Sequence, residues 1–177
     1  MKLEKIETLK TSVSAVERKA KIINNMIQKN NSSVLRKAMM VDGKLVFTDT
    51  YQLYVLKDII SGVEINGPNA NYPDITKIVN NFPLDSKTMT KAELIKSIKD
   101  GYVETDNGKP ISKKTFSKIN DYYYNTTFLK NIIKILDIKE NSKINVFAKS
   151  ILNNMGGMLK FEVNGNLAII ISIKNQE

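Results

Sequence analysis

With neither cysteine nor histidine, the 177-residue chain can form no disulfide or zinc–thiolate site, and it lacks the commonest general base and metal ligand. Its 42% hydrophobic content predicts a packed globule, and its length suits one domain with a sizeable core. A formal charge of +9, from 27 Lys+Arg against 18 Asp+Glu, points to a polyanionic partner such as nucleic acid, although AT-rich coding also enriches lysine, and only Arg18 and Arg36 are arginine.

In chain order, Met1–Lys5 has no apolar signal-peptide core, and no apolar run approaches the ~20 residues that span a bilayer, so a soluble, cytoplasmic protein without membrane contact is expected. Lys2 to Ile6 reads as a short strand. Leu9, Val13, Val16, Ala20, Ile23 and Ile27 then form one helical stripe with Thr8 as its N-cap. Asn30 to Ser33 breaks the pattern. Val34–Val41, Lys44–Thr48 and Gln52–Leu56 read as strands, the first two joined by the hairpin signal Asp42-Gly43.

The stretch from about Gly62 to Thr115 holds all four prolines, Pro68, Pro73, Pro83 and Pro110. It also predicts a short helix over Lys91–Lys99, opened by a Thr90/Glu93 capping box. Its apolar content is too thin for a core of its own, so it reads as an elaborated connection inside one domain spanning 1–177. Beyond it, Phe116–Tyr124 reads as a strand interrupted at Asn120-Asp121, and Phe128–Leu136 as a helix entered through a capping Thr. Lys143–Ala148, Met158–Val163 and Leu167–Ile173 read as strands, with Asn164-Gly165 as a primed hairpin turn. Each half is therefore expected to run strand, helix, three strands. The predicted class is α+β, with two adjacent helices backed by antiparallel sheets.

The outer helix faces carry the candidate binding residues. Opposite the apolar stripe of the first helix fall Thr11, Ser14, Arg18, Lys21, Asn25 and Lys29, with Glu17 the one acid near them. On the second helix Lys130 and Lys134 point away from Phe128, Leu129, Ile132 and Leu136. Such faces suit phosphate contacts that give affinity without sequence readout; a plainly solvated helix face has the same composition. No motif for chemistry stands out. There is no phosphate loop, Gly156-Gly157 reads as a loop, and Asp49, Asp58 and Asp74 are scattered and suit turns better than a metal. Tyr122 and Tyr124 share one strand face and Tyr123 the other, which suits packing better than base stacking. A protein that is not an enzyme, with no cofactor and no metal, is expected; a small carboxylate nuclease is the enzymatic rival.

Three places resemble the bacterial sliding clamp, the DNA polymerase III beta subunit. Val41 to Val55 resembles the clamp hairpin that ends Thr-Asp-Gly-His-Arg-Leu-Ala: Thr48, Asp49 and Leu53 match, while Thr50, Tyr51 and Gln52 replace Gly, His and Arg. Asn71 to Val79 is similar to the segment Phe-Pro-Asp-Tyr-x-x-Val-Leu-Pro, with Pro73 and Asp74 matching and Tyr72 an aromatic exchange. Tyr124 to Leu136 looks like the Phe-Asn-Val-x-Tyr-Leu helix entry, and Ile169 to Ile173 like the closing strand, where Ser172 replaces the usual Pro.

The resemblance implies a DNA-clamp-type fold and a processivity-type replication accessory; the basic helix faces, with Arg18, Lys21, Lys29, Lys130 and Lys134, would then touch the backbone of double-stranded DNA. It implies DNA polymerase or the clamp loader as partners. A clamp chain holds three such domains and this chain about one, so a ring would need a homo-oligomer. Lysine, asparagine and isoleucine usage and the compact size suit a phage or other mobile element of a low-GC bacterium. The family's peptide-binding pocket is not carried over, given the exchanges at Thr50 to Gln52 and Ser172. The alternative is a protein-interaction module that binds the host clamp, its loader or a polymerase without DNA, through an exposed apolar groove beside the closing strand.

Overall fold

Lysine, leucine and glutamate favour helix over strand, and in the computed structural model they continue the first helix to the start of the chain: α1 runs Lys2–Ile27. The strand expected at Lys2–Ile6 is thus the first part of α1, and Thr8 lies inside the helix rather than at its cap. The structure describes residues 2–68, 70–100, 102–106, 109–151 and 156–172, with residues 2–14, 102–106 and 109–114 given by backbone conformation alone.

After α1 the chain makes a 3-10 turn at Val34–Arg36, so the strand expected from Val34 begins only at Met39. Three strands follow, β1 (Met39–Val41), β2 (Lys44–Thr48) and β3 (Gln52–Leu56). The connection contributes α2 (Thr76–Asn80), β4 (Lys87–Met89), α3 (Lys91–Lys99), β5 (Tyr102–Asp106) and most of β6 (Lys109–Ile119). β7 (Tyr122–Asn125), α4 (Thr126–Ile135), β8 (Ile144–Ile151), β9 (Gly156–Val163) and β10 (Asn166–Ile171) complete the fold. Ile173, expected in the last strand, lies outside the described residues.

Local chemistry accounts for several of these boundaries. Asp42 and Gly43 have φ of 48° and 74°, and Asn164 and Gly165 have 51° and 79°, the left-handed pairs that tight antiparallel hairpins require. Thr90 and Glu93 close the expected capping box on α3. The strand expected over Phe116–Tyr124 is two antiparallel strands, β6 and β7, because Asn120 at φ 55° reverses the chain between them.

Seven strands form one antiparallel sheet in the order β1-β2-β3-β10-β9-β8-β4, and β5-β6-β7 form a second sheet of three. The two halves meet where β3 pairs with β10, Leu53 opposite Ile169 and Val55 opposite Leu167. Each half lays a three-stranded meander to one side of that join, so the sheets expected from the halves are fused into one. An opening strand precedes the helix only in the second half, where β7 precedes α4; the first half begins on α1.

Both faces of the large sheet are covered. Toward the helices, Phe47, Tyr54, Phe161, Ala168 and Ile170 pack with Ile23 and Ile27 of α1 and Leu129, Ile132 and Ile135 of α4 in the main core. α1 and α4 touch one another on this face. Strand alternation turns Val46, Leu53, Val55 and Ile169 the other way. There the connection crosses as a strap and covers them with Ile75, Tyr72, Val79 and Phe82. No helix among the described residues is long and apolar enough to cross a membrane.

Candidate nucleic-acid interface

α4 enters through Asn125, whose side-chain oxygen accepts the Thr127 N–H at 2.8 Å. The cap is thus Asn125 rather than a threonine. Thr126 is buried instead, its hydroxyl donating to the Thr115 carbonyl at 2.9 Å. With Leu129, Ile132 and Ile135 committed to the core, the helical period leaves Lys130 and Lys134 exposed one turn apart. Lys134 sits in the last turn of α4, where a cation complements the helix dipole.

On α1, Arg18 and Lys21 are exposed opposite buried Ala20, Ile23 and Ile27, with exposed Glu17 beside them. Lys29 is also exposed but is not on the helix. α1 ends at Ile27, where the buried Asn30 amide donates to the Ile27 carbonyl at 3.0 Å, so Lys29 stands in the turn beyond. The adjacent helices therefore carry four of the five expected cations. The ion pairs among the described residues are Lys37–Glu64, Lys91–Glu140, Lys139–Asp137 and Lys160–Glu162, and none engages Arg18, Lys21, Lys29, Lys130 or Lys134.

A polar chain links α4 to the β2–β3 turn. The Asp49 carboxylate accepts from the Tyr51 N–H at 3.0 Å, the Gln52 N–H at 2.7 Å and the Gln52 side-chain amide at 2.7 Å. The Gln52 side-chain oxygen in turn accepts from the Tyr54 hydroxyl at 3.0 Å and the Asn131 amide at 3.4 Å. Burial, reinforced by the nearby Asp49 charge, pushes the Tyr54 hydroxyl well above its ordinary pKa. Thr50, standing where the clamp hairpin has glycine, has φ of 78°.

The three aspartates are dispersed. Asp49 organises this turn and Asp74 accepts the Thr76 N–H at 2.9 Å, hydrogen bonds that hold the Asp74 carboxyl below its usual range. Among the described residues no group of three or more Asp or Glu could hold a metal ion. Tyr124 is buried, Tyr122 donates its hydroxyl to Ser150 at 3.0 Å, and the Lys118 ammonium lies 5.9 Å from the Tyr123 ring centre.

On the opposite face of the sheet lies an apolar groove of about 470 Å³, lined by Tyr51, Leu53, Pro73, Ile78, Ile169 and Ile171 among others. Tyr51 is 62% exposed and Ile78 42%. The hairpin, the Pro73 segment and the closing strand, three of the segments that carry the clamp resemblance, come together here. Ser172 fits its place because its hydroxyl accepts the Gly157 N–H at 2.7 Å and its own N–H donates to the Gly157 carbonyl at 2.8 Å, bonds that proline cannot make.

Sequence reasoning offered an apolar groove beside the closing strand as the mark of the alternative reading but did not assign its lining. Ile75, Ile78 and Phe82 follow no strand period, and α2 is a single short turn held by contact with the sheet. The proline-bounded cluster of apolar residues was the available signal. Compared with known proteins, the chain matches no family model, no curated protein and no solved structure.

Proposed function

We propose that the protein is a clamp-like replication accessory of the processivity type, which holds double-stranded DNA by its backbone without sequence specificity. The observation that carries this reading is the pair of touching helices on one face of a continuous sheet, presenting Arg18, Lys21, Lys130 and Lys134 outside the ion pairs found among the described residues of a chain with charge +9. The sheet is a rigid backing, and the function asks for no catalytic group. Binding by counterion release has a signature: with about four phosphates engaged, a fourfold rise in salt lowers affinity on the order of 10²-fold. The sheet ends in β1 and β4, edges through which further copies could pair into a ring.

The test is fluorescence anisotropy on duplexes of unrelated sequence across a salt series, with mass by light scattering in the same buffers. A steep, sequence-indifferent salt slope supports the reading. Charge reversal of Arg18, Lys21, Lys130 and Lys134 that leaves the affinity unchanged would falsify it.

A second reading is favoured by the apolar groove beside β10. Here the protein is an interaction module that binds a clamp, its loader or a polymerase without touching DNA. That binding would be insensitive to salt and to the four charge reversals, and Ile78→Asp would abolish it.

A further inference from the structure

Five residues in mutual register run across the strap face of the large sheet. Val46 lies opposite Val55, Val55 opposite Leu167, Leu167 opposite Glu162 and Glu162 opposite Asn145. All five line a second pocket on that face, of about 550 Å³, to which α2 contributes Thr76, Val79 and Asn80. The row changes character from one end to the other. Its first three side chains are apolar, and Ile75 and Val79 of the strap pack against them. Its fourth is a carboxylate and its fifth an amide, and Lys143, two residues before Asn145, lines the same pocket. At ~4.8 Å between neighbouring strands, the backbone of Glu162 stands ~10 Å from that of Val55, and that of Asn145 ~14 Å. At the apolar end Asp42 and Lys44 add charges of opposite sign. Glu162 is fixed by a buried cation: the Lys160 ammonium lies 2.9 Å from Glu162 Oε1 and 4.0 Å from the centre of the Phe147 ring. Lys160 is 9% exposed, whereas the Glu162 side chain is 37% exposed. The pairing offsets the carboxylate charge and uses one oxygen, which leaves Oε2 as an acceptor facing no second cation among the described residues. Lys143 is exposed and enters none of the ion pairs among the described residues.

We propose that this pocket binds a free nucleoside monophosphate. The base lies on Val46, Val55 and Leu167, the ribose hydroxyls donate to Glu162, and the phosphate sits at Lys143 and Asn145. A pocket of this size, with an apolar floor and a few fixed polar groups, is the usual form of a small-molecule site. The order along the row decides the ligand: a flat apolar body, hydroxyl donors and an anion must follow one another in line. A fatty acid brings no donor to the carboxylate, and a sugar phosphate brings nothing to the apolar end. The amides of Asn80 and Asn166 also line the pocket, and an asparagine amide matches the N6/N7 edge of adenine. The Asn166 side-chain oxygen already accepts the Lys57 N–H at 3.0 Å, so its NH2 is the part left to a ligand. The sheet separates this pocket from α1 and α4, so a bound nucleotide and a duplex on the helices do not share residues.

The probe is adenosine 5′-monophosphate (AMP), titrated into the full chain by calorimetry beside adenosine, ribose 5-phosphate and 2′-deoxy-AMP. Removing the phosphate, the base or the 2′-hydroxyl each deletes one of the three contacts, and each analogue should bind at least about tenfold more weakly than AMP. Lys143→Gln should weaken AMP at least about tenfold while leaving adenosine unchanged. Glu162→Gln should shrink the preference for AMP over 2′-deoxy-AMP. It also leaves the Lys160 charge buried without its partner, so its melting curve is recorded first; if that variant does not fold, the analogue series on the unaltered chain and Lys143→Gln, at an exposed side chain, carry the test. Saturating AMP should leave duplex affinity unchanged, so failure here and failure of the DNA reading are read separately. No binding at millimolar AMP, equal affinity for AMP, adenosine and ribose 5-phosphate, or loss of AMP binding on Lys130→Glu but not on Lys143→Gln would each overturn the proposal.

Discussion

Replacing Thr50 by glycine should stabilise the protein. Thr50 has φ of 78°, a region in which a β-branched side chain crowds its own backbone, and strain of this kind costs ~1–3 kcal/mol. The surrounding turn enforces it. The Thr50 N–H donates to the Thr48 hydroxyl at 3.0 Å, that hydroxyl donates to the Gln52 carbonyl at 2.7 Å, and Asp49 accepts three bonds from Tyr51 and Gln52. All of these use backbone groups or other side chains, so glycine at position 50 keeps every one. Against the relief stands the extra freedom of glycine in the unfolded chain, ~0.5–1 kcal/mol. The net gain is ~1 kcal/mol, a rise in melting temperature of ~2–4 °C for a chain of this size. Thermal and urea unfolding read it, and Thr50→Ala, which keeps Cβ but removes the branch, should fall between the two. A lower melting temperature for Thr50→Gly at an unchanged urea m-value would refute the strain argument.

Three further outcomes follow from the packing. Gly157→Ala should cost ~1–3 kcal/mol by overpacking, because its Cβ would stand 2.5 Å from the Tyr122 ring, which the Ser150 hydrogen bond pins in place; adding Tyr122→Leu should recover part of the loss in a double-mutant cycle, and strict additivity would contradict the clash. Asn30→Ala should cost ~2–3 kcal/mol in urea unfolding, because the buried Asn30 amide donates to the carbonyls of Ile27, Leu35 and Thr48. A loss within ±0.5 kcal/mol, the range of an ordinary surface change, would contradict that account. Burial pushes the Tyr72 hydroxyl up to about 12 and also raises those of Tyr54 and Tyr124, so the folded state favours the neutral phenol. Their contribution to stability is present below the unfolded value near pH ~10 and is lost as pH climbs through the folded values; denaturant midpoints should fall over that window, and full tyrosinate absorbance at about pH 10 with stability intact would contradict it.

What could be read in advance was what short-range chemistry decides. Asp42-Gly43, Asn164-Gly165 and the Thr90/Glu93 box each fix a few neighbouring dihedrals, and all three are found as expected. The period that separates Lys130 and Lys134 from Leu129 and Ile132 is equally local. Lys2–Ile6 misled because Leu3 and Ile6 suit a strand or a helix, and the choice is made by continuity with the turns that follow. Lys29 was placed on the helix because the break expected at Asn30 falls earlier: the Asn30 side chain bonds the Ile27 carbonyl, where the helix ends. The strap and the residues it adds to the groove were illegible for a different reason. Ile75 and Phe82 are ordered by the outer face of β3 and β10, which belong to opposite halves of the chain, and neither half's pattern contains the other.

The alternation along β3 sets how the two functional readings relate. Gln52 and Tyr54 face the helices, while Leu53 and Val55 face the strap, so consecutive residues serve opposite faces of one sheet. A duplex held on α1 and α4 and a protein segment seated in the groove would be separated by that sheet and would not compete for space. Lys130→Glu should therefore weaken DNA binding without touching the groove, and Ile78→Asp should do the reverse. The polar chain Asp49–Gln52–Asn131 runs from the turn at the groove's rim to the helix that bears Lys130. If binding on one face alters affinity on the other, Gln52, which lines the groove and bonds to Asn131 of α4, is the direct polar link between them, and Gln52→Met should reduce the coupling. Coupling that survives Gln52→Met unchanged would require a route through the apolar layer instead.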